Sequence, residues 1–256
     1  DLGLSNLSAD DPALAEFTET LSKRTGLPKA EGLRLVEMLK SADYMGSLLQ
    51  VNEEIKKLAT FFDSDEVLEE KIHGVLAKFI KTKDSGNDLG VHTLAEQLEK
   101  GLRLITLLGQ QYDVIVANPP YLATSKTFDK FAQVLHTKYP IADQDLYSLF
   151  IYRALDLLKT NGTTGLVTMR NWMFLSQYSS FRKYIIEHHS IEKIGELGVA
   201  AFLDMTSSTH LSVSLFIVSK SQRKKNSVQI IRTLKENEVK KDTLQIAKYI
   251  TWKRYF

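Results

Sequence analysis

The chain has 256 residues, of which 43% are hydrophobic and 25% charged, and its 33 basic and 31 acidic side chains leave a net charge of +2. This composition is typical of one or two soluble globular domains and excludes a disordered or polycationic tail. The absence of cysteine excludes disulfides and thiolate metal ligands and suits a reducing, cytoplasmic location. No apolar run approaches the roughly 20 residues that span a bilayer, and the start lacks a signal peptide.

The first part of the chain, residues 1–110, is predicted to be an α-helical segment. Apolar residues recur there at helical spacing, as in Phe17 and Leu21 and then in Leu33, Val36 and Leu39. The stretch 93–96, Thr-Leu-Ala-Glu, is a capping box that opens a further helix ending near residue 109. The chain does not begin with methionine, so we expect part of a larger protein.

From Asp113 onward the pattern alternates between strands and helices. We predict strands at 114–117, 164–169, 191–197 and 211–218, and helices at 145–159 and about 179–188, with Asn161-Gly162 ending the first of these helices. Such alternation favours a mainly parallel sheet, covered on both faces, with right-handed crossovers. The predicted fold class is therefore α/β, and ligands are expected at the carboxyl ends of the strands.

One of these ends carries Asn118-Pro119-Pro120-Tyr121, directly after a predicted buried strand. Each proline fixes its own φ and restricts the residue before it to extended geometry. Asn118 and Pro119 are therefore held in place before any substrate arrives.

A rigid loop of this kind can activate a planar amino group. The lone pair of such a nitrogen is delocalised, and two acceptors placed on its two hydrogens favour a pyramidal, nucleophilic nitrogen. The side-chain carbonyl of Asn118 and the backbone carbonyl of Pro119 are suitable acceptors. The ring of Tyr121 can stack on a flat substrate, a contact worth about 1 to 3 kcal/mol for a base.

The loop resembles the signature of amino-methyltransferases, and the chain around it resembles the gamma-type adenine-N6 DNA methyltransferases. Several longer stretches are similar to the BREX phage-defence enzymes and to fused restriction-modification enzymes: "ADYMGSLLQV", "QYDVIVANPPY", "KYPIADQDLYSLFIYRALDLLKTNG", "GLVTMRNWMFLSQYSSFRKYII" and "IEKIGELGVAAF". The resemblance covers roughly residues 42–220 and implies a Rossmann-like fold that uses S-adenosylmethionine to methylate a flipped adenine.

The resemblance also implies roles for individual residues. Asn118, Pro119, Pro120 and Tyr121 match the catalytic loop, and Phe202 matches an aromatic side chain that contacts the extruded base. On the cofactor side, Phe150 matches the ring that packs on the adenine of S-adenosylmethionine, and Pro120 is also expected to bind the cofactor. The stretch "LDMTSSTHLSVS" after Phe202 departs from the acidic and glutamine-bearing pattern of the BREX proteins.

The family also has a glycine-rich cofactor turn after its first strand, and nothing before Asp113 resembles it. Gly195-Glu196-Leu197-Gly198 lies downstream and is interpreted as the exit of a strand. We therefore expect residues 111–220 to be the C-terminal half of a methyltransferase domain with an incomplete cofactor site. Missing strands would leave a sheet edge exposed, unless the chain dimerises or the helical part covers it.

The last stretch, residues 221–256, is predicted to be a basic connection toward a target-recognition region. It contains Arg223-Lys224-Lys225, a cluster that either contacts DNA phosphates or forms a solvated face with the interleaved acidic residues. The implied partners are double-stranded DNA and other subunits of a defence system, with no membrane.

Two other functions stay open at this level. A glutamine amide is conjugated like the adenine amino group, so methylation of a protein glutamine is one alternative. A non-catalytic DNA-recognition or assembly role is the other. The six histidines show no metal-ligand spacing with carboxylates, so no metal site is predicted and solvated or helix-end histidines are expected.

Overall fold

A computed structural model of the chain describes residues 12–51, 74, 100–101, 103–198, 213–221, 227–232 and 249–253. It divides into two compact units, Asp1–Gln110 and Gln111–Phe256. Among the described residues, no helix has both the length and the apolar character needed to cross a membrane.

The first unit is helical wherever it is described. Helix α1 (Pro12–Thr25) packs against α2 (Lys29–Met45), and residues 100–101 and 103–109 are also helical. Phe17, Leu21 and Leu39 are buried, as helical spacing predicts, whereas Leu33 is 47% exposed. The predicted α-helical segment is confirmed for these residues, and the capping box at 93–96 lies outside them.

The second unit contains a mixed α/β array in which helices alternate with strands as far as the third strand. Its elements, in chain order, are β1 (Tyr112–Ala117), α3 (Asp129–Lys138), α4 (Leu146–Leu157), β2 (Leu158–Met169), α5 (Ser179–His188), β3 (Ser190–Gly198), β4 (Val213–Ser219), β5 (Ser227–Arg232) and β6 (Tyr249–Lys253). The predicted α/β class is confirmed. Gly195 lies inside β3 and Gly198 ends it, in agreement with a strand and its exit.

The six strands form one sheet in the order β1-β2-β4-β3-β5-β6. The prediction of a mainly parallel sheet is wrong: among the described strands, β1–β2 and β3–β5 pair in parallel, while β2–β4, β4–β3 and β5–β6 are antiparallel. The central strand β4 runs antiparallel to both of its neighbours. Its apolar run could not reveal this, because a buried strand has the same apolar composition in either direction. Strands β5 and β6 lie in the stretch 221–256 and extend the sheet.

Strand β1 stands at one edge of the sheet, with β2 as its neighbour. The prediction that it is buried is wrong: Val114 is 67% exposed and Val116 is 76% exposed. These two side chains share one face because their spacing equals the two-residue period of a strand. Apolar sequence alone does not distinguish this edge strand from a central one.

Helix α4 ends at Leu157, two residues before the predicted end at Lys159, and β2 begins at Leu158. Asn161 adopts a left-handed conformation with φ of 68° inside β2, rather than ending the helix. The adjacent Gly162 leaves little room for a Cβ, since one built there would lie 3.0 Å from the carbonyl oxygens of Lys159 and Tyr112. A side chain at 162 would therefore require these backbone segments to shift.

An aromatic cluster anchors the segment that follows β2. Trp172 is fully buried, with its ring 4.9 Å from that of Phe216 in β4 and 5.9 Å from that of Phe181 in α5, measured between centroids. Because buried aromatic rings contribute large apolar areas, this cluster fixes the chain at the carboxyl end of β2.

Candidate active site

The loop at Asn118–Tyr121 leaves the sheet at the carboxyl end of β1. Asn118 and Pro120 are exposed, Pro119 is buried, and Tyr121 is half-buried. Because β1 and β2 are parallel, the segments that follow them emerge at the same edge of the sheet. The predicted catalytic loop therefore lies where an α/β sheet places its ligands.

The Tyr121 hydroxyl lies within hydrogen-bonding distance of two acceptors. It is 2.9 Å from Asn118 Oδ1 and 3.1 Å from the backbone oxygen of Val167 in β2. Burial raises the pKa of Tyr121, so the hydroxyl keeps the proton that it donates. An amide oxygen has two lone pairs, and Asn118 Oδ1 therefore retains capacity for a second donor.

Two further tyrosines lie behind the loop. The Tyr121 ring meets that of Tyr147 edge-on, with centroids 6.4 Å apart and planes at 80°. Tyr147 is buried in the first turn of α4, and its hydroxyl donates to that of Tyr178 at 2.8 Å. Burial is the main cause that raises the pKa of both tyrosines. This row of rings was not predicted, although "DLYSLF" and "SQYSSF" contain the residues.

Helix α4 carries the predicted cofactor residue. Phe150 is only partly buried, whereas Leu149 and Ile151 on either side of it are fully buried. The helix begins with a capping box in which the Asp145 carboxylate and the Ser148 hydroxyl bond to each other's backbone N–H groups. Phe150 is thus held on a rigid helix, while Phe202 lies outside the described residues.

The segment after β2 presents an exposed aromatic side chain at the same sheet edge. Phe174 is 62% exposed, and the Arg170 guanidinium lies 5.7 Å from the centroid of its ring. Arg182 in α5 donates to the backbone oxygens of Trp172 and Leu175, at 2.8 and 2.6 Å. These two bonds fix the backbone that carries Phe174.

The histidines differ in their surroundings. His188 is exposed at the end of α5, as expected, and its Nδ1 lies 3.0 Å from the backbone oxygen of Tyr184. His189, the C-cap of α5, also lies at a helix end, but it is only 6% exposed. Neither of its ring nitrogens hydrogen-bonds to a described residue. Over the described part of the chain, no three His, Asp or Glu side chains cluster as a metal ion would require.

Known proteins resemble this chain across the region that contains the loop. Residues 29–202 match the model of the family described as Eco57I restriction-modification methylase. The adenine-specific methyltransferase BrxX of Escherichia coli O9:H4 (strain HS) is 29% identical over 170 residues, which are 66% of this chain and 13% of that protein.

Two further relatives show similar levels of identity. The adenine-specific methyltransferase PglX of Lacticaseibacillus casei (strain Zhang) is 29% identical over 126 residues, 49% of this chain and 10% of the relative. The type II restriction enzyme and methyltransferase RM.Eco57I of Escherichia coli is 32% identical over 97 residues, 36% of this chain and 10% of the relative. The chain thus spans a small part of each relative's length. Since the family model matches more than half of the chain, the chain belongs to the Eco57I restriction-modification methylase family.

Proposed function

We propose that the protein containing this chain methylates the N6 amino group of adenine in DNA, with S-adenosylmethionine as the methyl donor. It acts in a restriction-modification or phage-defence system. The observation that carries this proposal is the loop at the end of β1, where exposed Asn118 has its amide oxygen beside the Tyr121 hydroxyl. Family membership and the resemblance to adenine-specific enzymes support the same reading.

In this proposal, Asn118 and Pro119 bind the amino group of the target base. The Asn118 amide oxygen accepts one amino hydrogen with the lone pair that Tyr121 leaves free, and the Pro119 carbonyl accepts the other. Both acceptors strengthen as positive charge develops on the nitrogen, which is how preorganised dipoles lower a barrier. Proline at 119 and 120 holds these acceptors without backbone N–H groups that would compete for them.

Tyr121 provides the surface on which the extruded base stacks. An adenine in a duplex must leave the helix before an enzyme reaches its amino group, and stacking on an aromatic ring offsets part of that cost. The half-buried ring is supported edge-on by Tyr147, so its orientation is set before the base arrives. Phe202 is proposed to contact the base from another side.

The described residues fit part of a cofactor site. Phe150, partly exposed on α4, offers a ring that can pack on the adenine of S-adenosylmethionine, and exposed Pro120 belongs to the adjoining loop. A glycine-rich turn after a strand, which would hold the rest of the cofactor, is not found among the described residues. When bound, the cofactor supplies an electrophilic methyl group. This chain's own contribution is to orient the base and to hold one face of the donor.

The exposed edge strand β1 motivates a proposal about assembly. Unpaired strand edges with apolar side chains tend to pair with another chain, and Val114 and Val116 are exposed there. We propose that two copies of this chain dimerise through β1 when no other strand occupies the edge. Sedimentation should show a dimer that Val116→Lys converts to a monomer, and a monomeric unaltered chain would contradict the proposal.

The test of the proposed function is the identity of the product. The protein encoded by the gene that contains this chain is incubated with DNA and S-adenosylmethionine labelled in its methyl group. The DNA is then digested to nucleosides and separated from protein. Label in N6-methyl-2′-deoxyadenosine is the expected result, whereas label in N4-methyl-2′-deoxycytidine or in protein glutamine would contradict the proposal.

A further inference from the structure

A short ladder joins the catalytic loop to the start of helix α4. Leu122, the residue after Tyr121, donates its N–H to Asp145 Oδ1 at 3.1 Å. Its carbonyl oxygen accepts the Leu146 N–H at 2.9 Å. Ala123 and Asp145 form an isolated antiparallel bridge. The chain segments on either side of α3 are therefore bonded together at this point.

One carboxylate oxygen carries two of these functions. Asp145 Oδ1 accepts the Tyr147 N–H at 3.2 Å, which caps α4, and it also accepts the Leu122 N–H. Ser148 Oγ accepts the Asp145 N–H at 3.3 Å and completes the capping box. An N-cap needs only the bond to the helix, so the bond to Leu122 is additional to capping.

We infer that Asp145 is a positioning residue for methyl transfer, whose carboxylate holds the base-binding loop in a fixed register against the helix that carries Phe150. This inference rests on the proposed function. Asn118 and Tyr121 bind the base on one side of the ladder, and Phe150 binds the cofactor on the other. The reacting atoms belong to two ligands, so their separation depends on how these segments are joined.

The electrostatic setting of Asp145 agrees with this role. Burial raises the pKa of its carboxyl group, and the backbone N–H groups of Tyr147, Leu122 and Leu146 act in the opposite direction. Negative charge is favourable at the N-terminus of a helix. An asparagine amide oxygen would occupy the same place and could accept both N–H groups, so the role needs an acceptor at this position rather than a charge.

Three substitutions separate the bond from Leu122 N–H to Asp145 Oδ1, called here the latch, from the cap that Asp145 forms on α4. Asp145→Asn keeps an acceptor at the Oδ1 position and should preserve both bonds. Asp145→Ser keeps a helix cap, because serine is among the preferred N-cap residues, but its oxygen is one bond closer to the backbone and falls short of Leu122. Asp145→Ala removes both bonds.

The expected results differ between turnover and stability. Asp145→Ser and Asp145→Ala should both lower kcat by about 10²-fold, as expected when reacting groups are displaced by about 1 Å, while Asp145→Asn stays near the unaltered rate. The dissociation constant for S-adenosylmethionine should change little. Thermal midpoints should follow a different order, with only Asp145→Ala clearly lowered.

A second measurement is independent of methyl transfer. Hydrogen exchange at the Leu122 amide should be slow in the unaltered protein and in Asp145→Asn, and fast in Asp145→Ser and Asp145→Ala. If Asp145→Ser turns over at the unaltered rate, or if its Leu122 amide stays protected, the inference is wrong. If the unaltered protein methylates no adenine, the proposed function fails instead, and hydrogen exchange still decides whether the latch exists.

Discussion

Tyr121 contributes both an aromatic ring and a hydroxyl group to the site. The ring is half-buried and is proposed to stack on the base, while its hydroxyl contacts Asn118 and the end of β2. The hydroxyl contact could not be predicted, because a contact between residues three apart in a loop depends on the path of the backbone. The position of Asn118 and Pro119 after a strand, in contrast, was predictable from the prolines and the apolar residues before them.

The hydroxyl contact leads to a prediction for Tyr121→Phe. This substitution keeps the ring and removes the donor that orients the Asn118 amide. We expect adenine methylation to fall about three- to tenfold, the range that corresponds to one net hydrogen bond. Tyr121→Ala should weaken capture of the extruded base by about 1 to 3 kcal/mol, since it removes stacking.

The measurement is the single-turnover rate of methyl transfer together with DNA affinity for both variants. Tyr44→Phe, a hydroxyl deletion in α2, is the matched control and should leave both unchanged. A Tyr121→Phe rate equal to that of the unaltered protein would show that the hydroxyl does not orient the amide.

At the scale of elements, most helices and strands follow from their apolar spacing, and α5 matches its predicted bounds. The junction of α4 and β2 does not match its predicted position. Leu157 and Leu158 both fit the apolar pattern of the helix, but α4 ends at Leu157 and Leu158 belongs to β2. The direction of β4 was likewise not accessible, since apolar alternation reports burial and not strand polarity.

The junction of α5 and β3 leads to a prediction about pH. Burial, with smaller contributions from the nearby charges of His188 and Lys220, lowers the pKa of His189 to about 4 from an ordinary value of 6.5. Between these two values the unfolded chain binds a proton at this site and the folded chain does not. The contribution of neutral His189 to the free energy of unfolding is therefore fully present above pH 6.5 and decreases as the pH falls toward 4.

The size of this effect should be on the order of 1 to 3 kcal/mol. Thermal unfolding at pH 7, 5 and 4 measures it, and His189→Leu should lose less stability over that interval than the unaltered chain. His188→Leu is the control and should keep the acid-dependent loss, because His189 stays buried. Equal losses in the unaltered chain and in His189→Leu would contradict the assignment.

At the scale of the whole molecule, the distribution of basic residues bears on how DNA is bound. The basic cluster Arg223-Lys224-Lys225 lies outside the described residues, in the connection between β4 and β5. We propose that it contacts phosphates and that residues 221–256 lead toward a target-recognition region. The sequence could indicate this cluster but not its placement.

Neutralising these three residues to alanine should weaken DNA binding similarly for all sequences. The slope of log affinity against log salt concentration should decrease by about 2 to 3, near 0.9 for each lost phosphate contact. Binding isotherms at several salt concentrations measure the slope. Alanine at Lys23, Arg34 and Lys183, three exposed cations on helices, is the charge-matched control, and an unchanged slope in the cluster variant would identify a solvated face.

The central claim is that Asn118 accepts an amino hydrogen of the target adenine, and the rate of methyl transfer by Asn118→Ala tests it most directly. The variant removes one acceptor and leaves Pro119, Tyr121 and Phe150 in place. Formation of N6-methyladenine should fall by about 10²- to 10³-fold, as when one preorganised hydrogen-bonding group is lost, with cofactor affinity nearly unchanged. Gln133→Ala, which shortens an exposed amide on α3, should keep the full rate. If Asn118→Ala forms N6-methyladenine as fast as the unaltered protein, Asn118 is not an acceptor and the assigned mechanism is wrong.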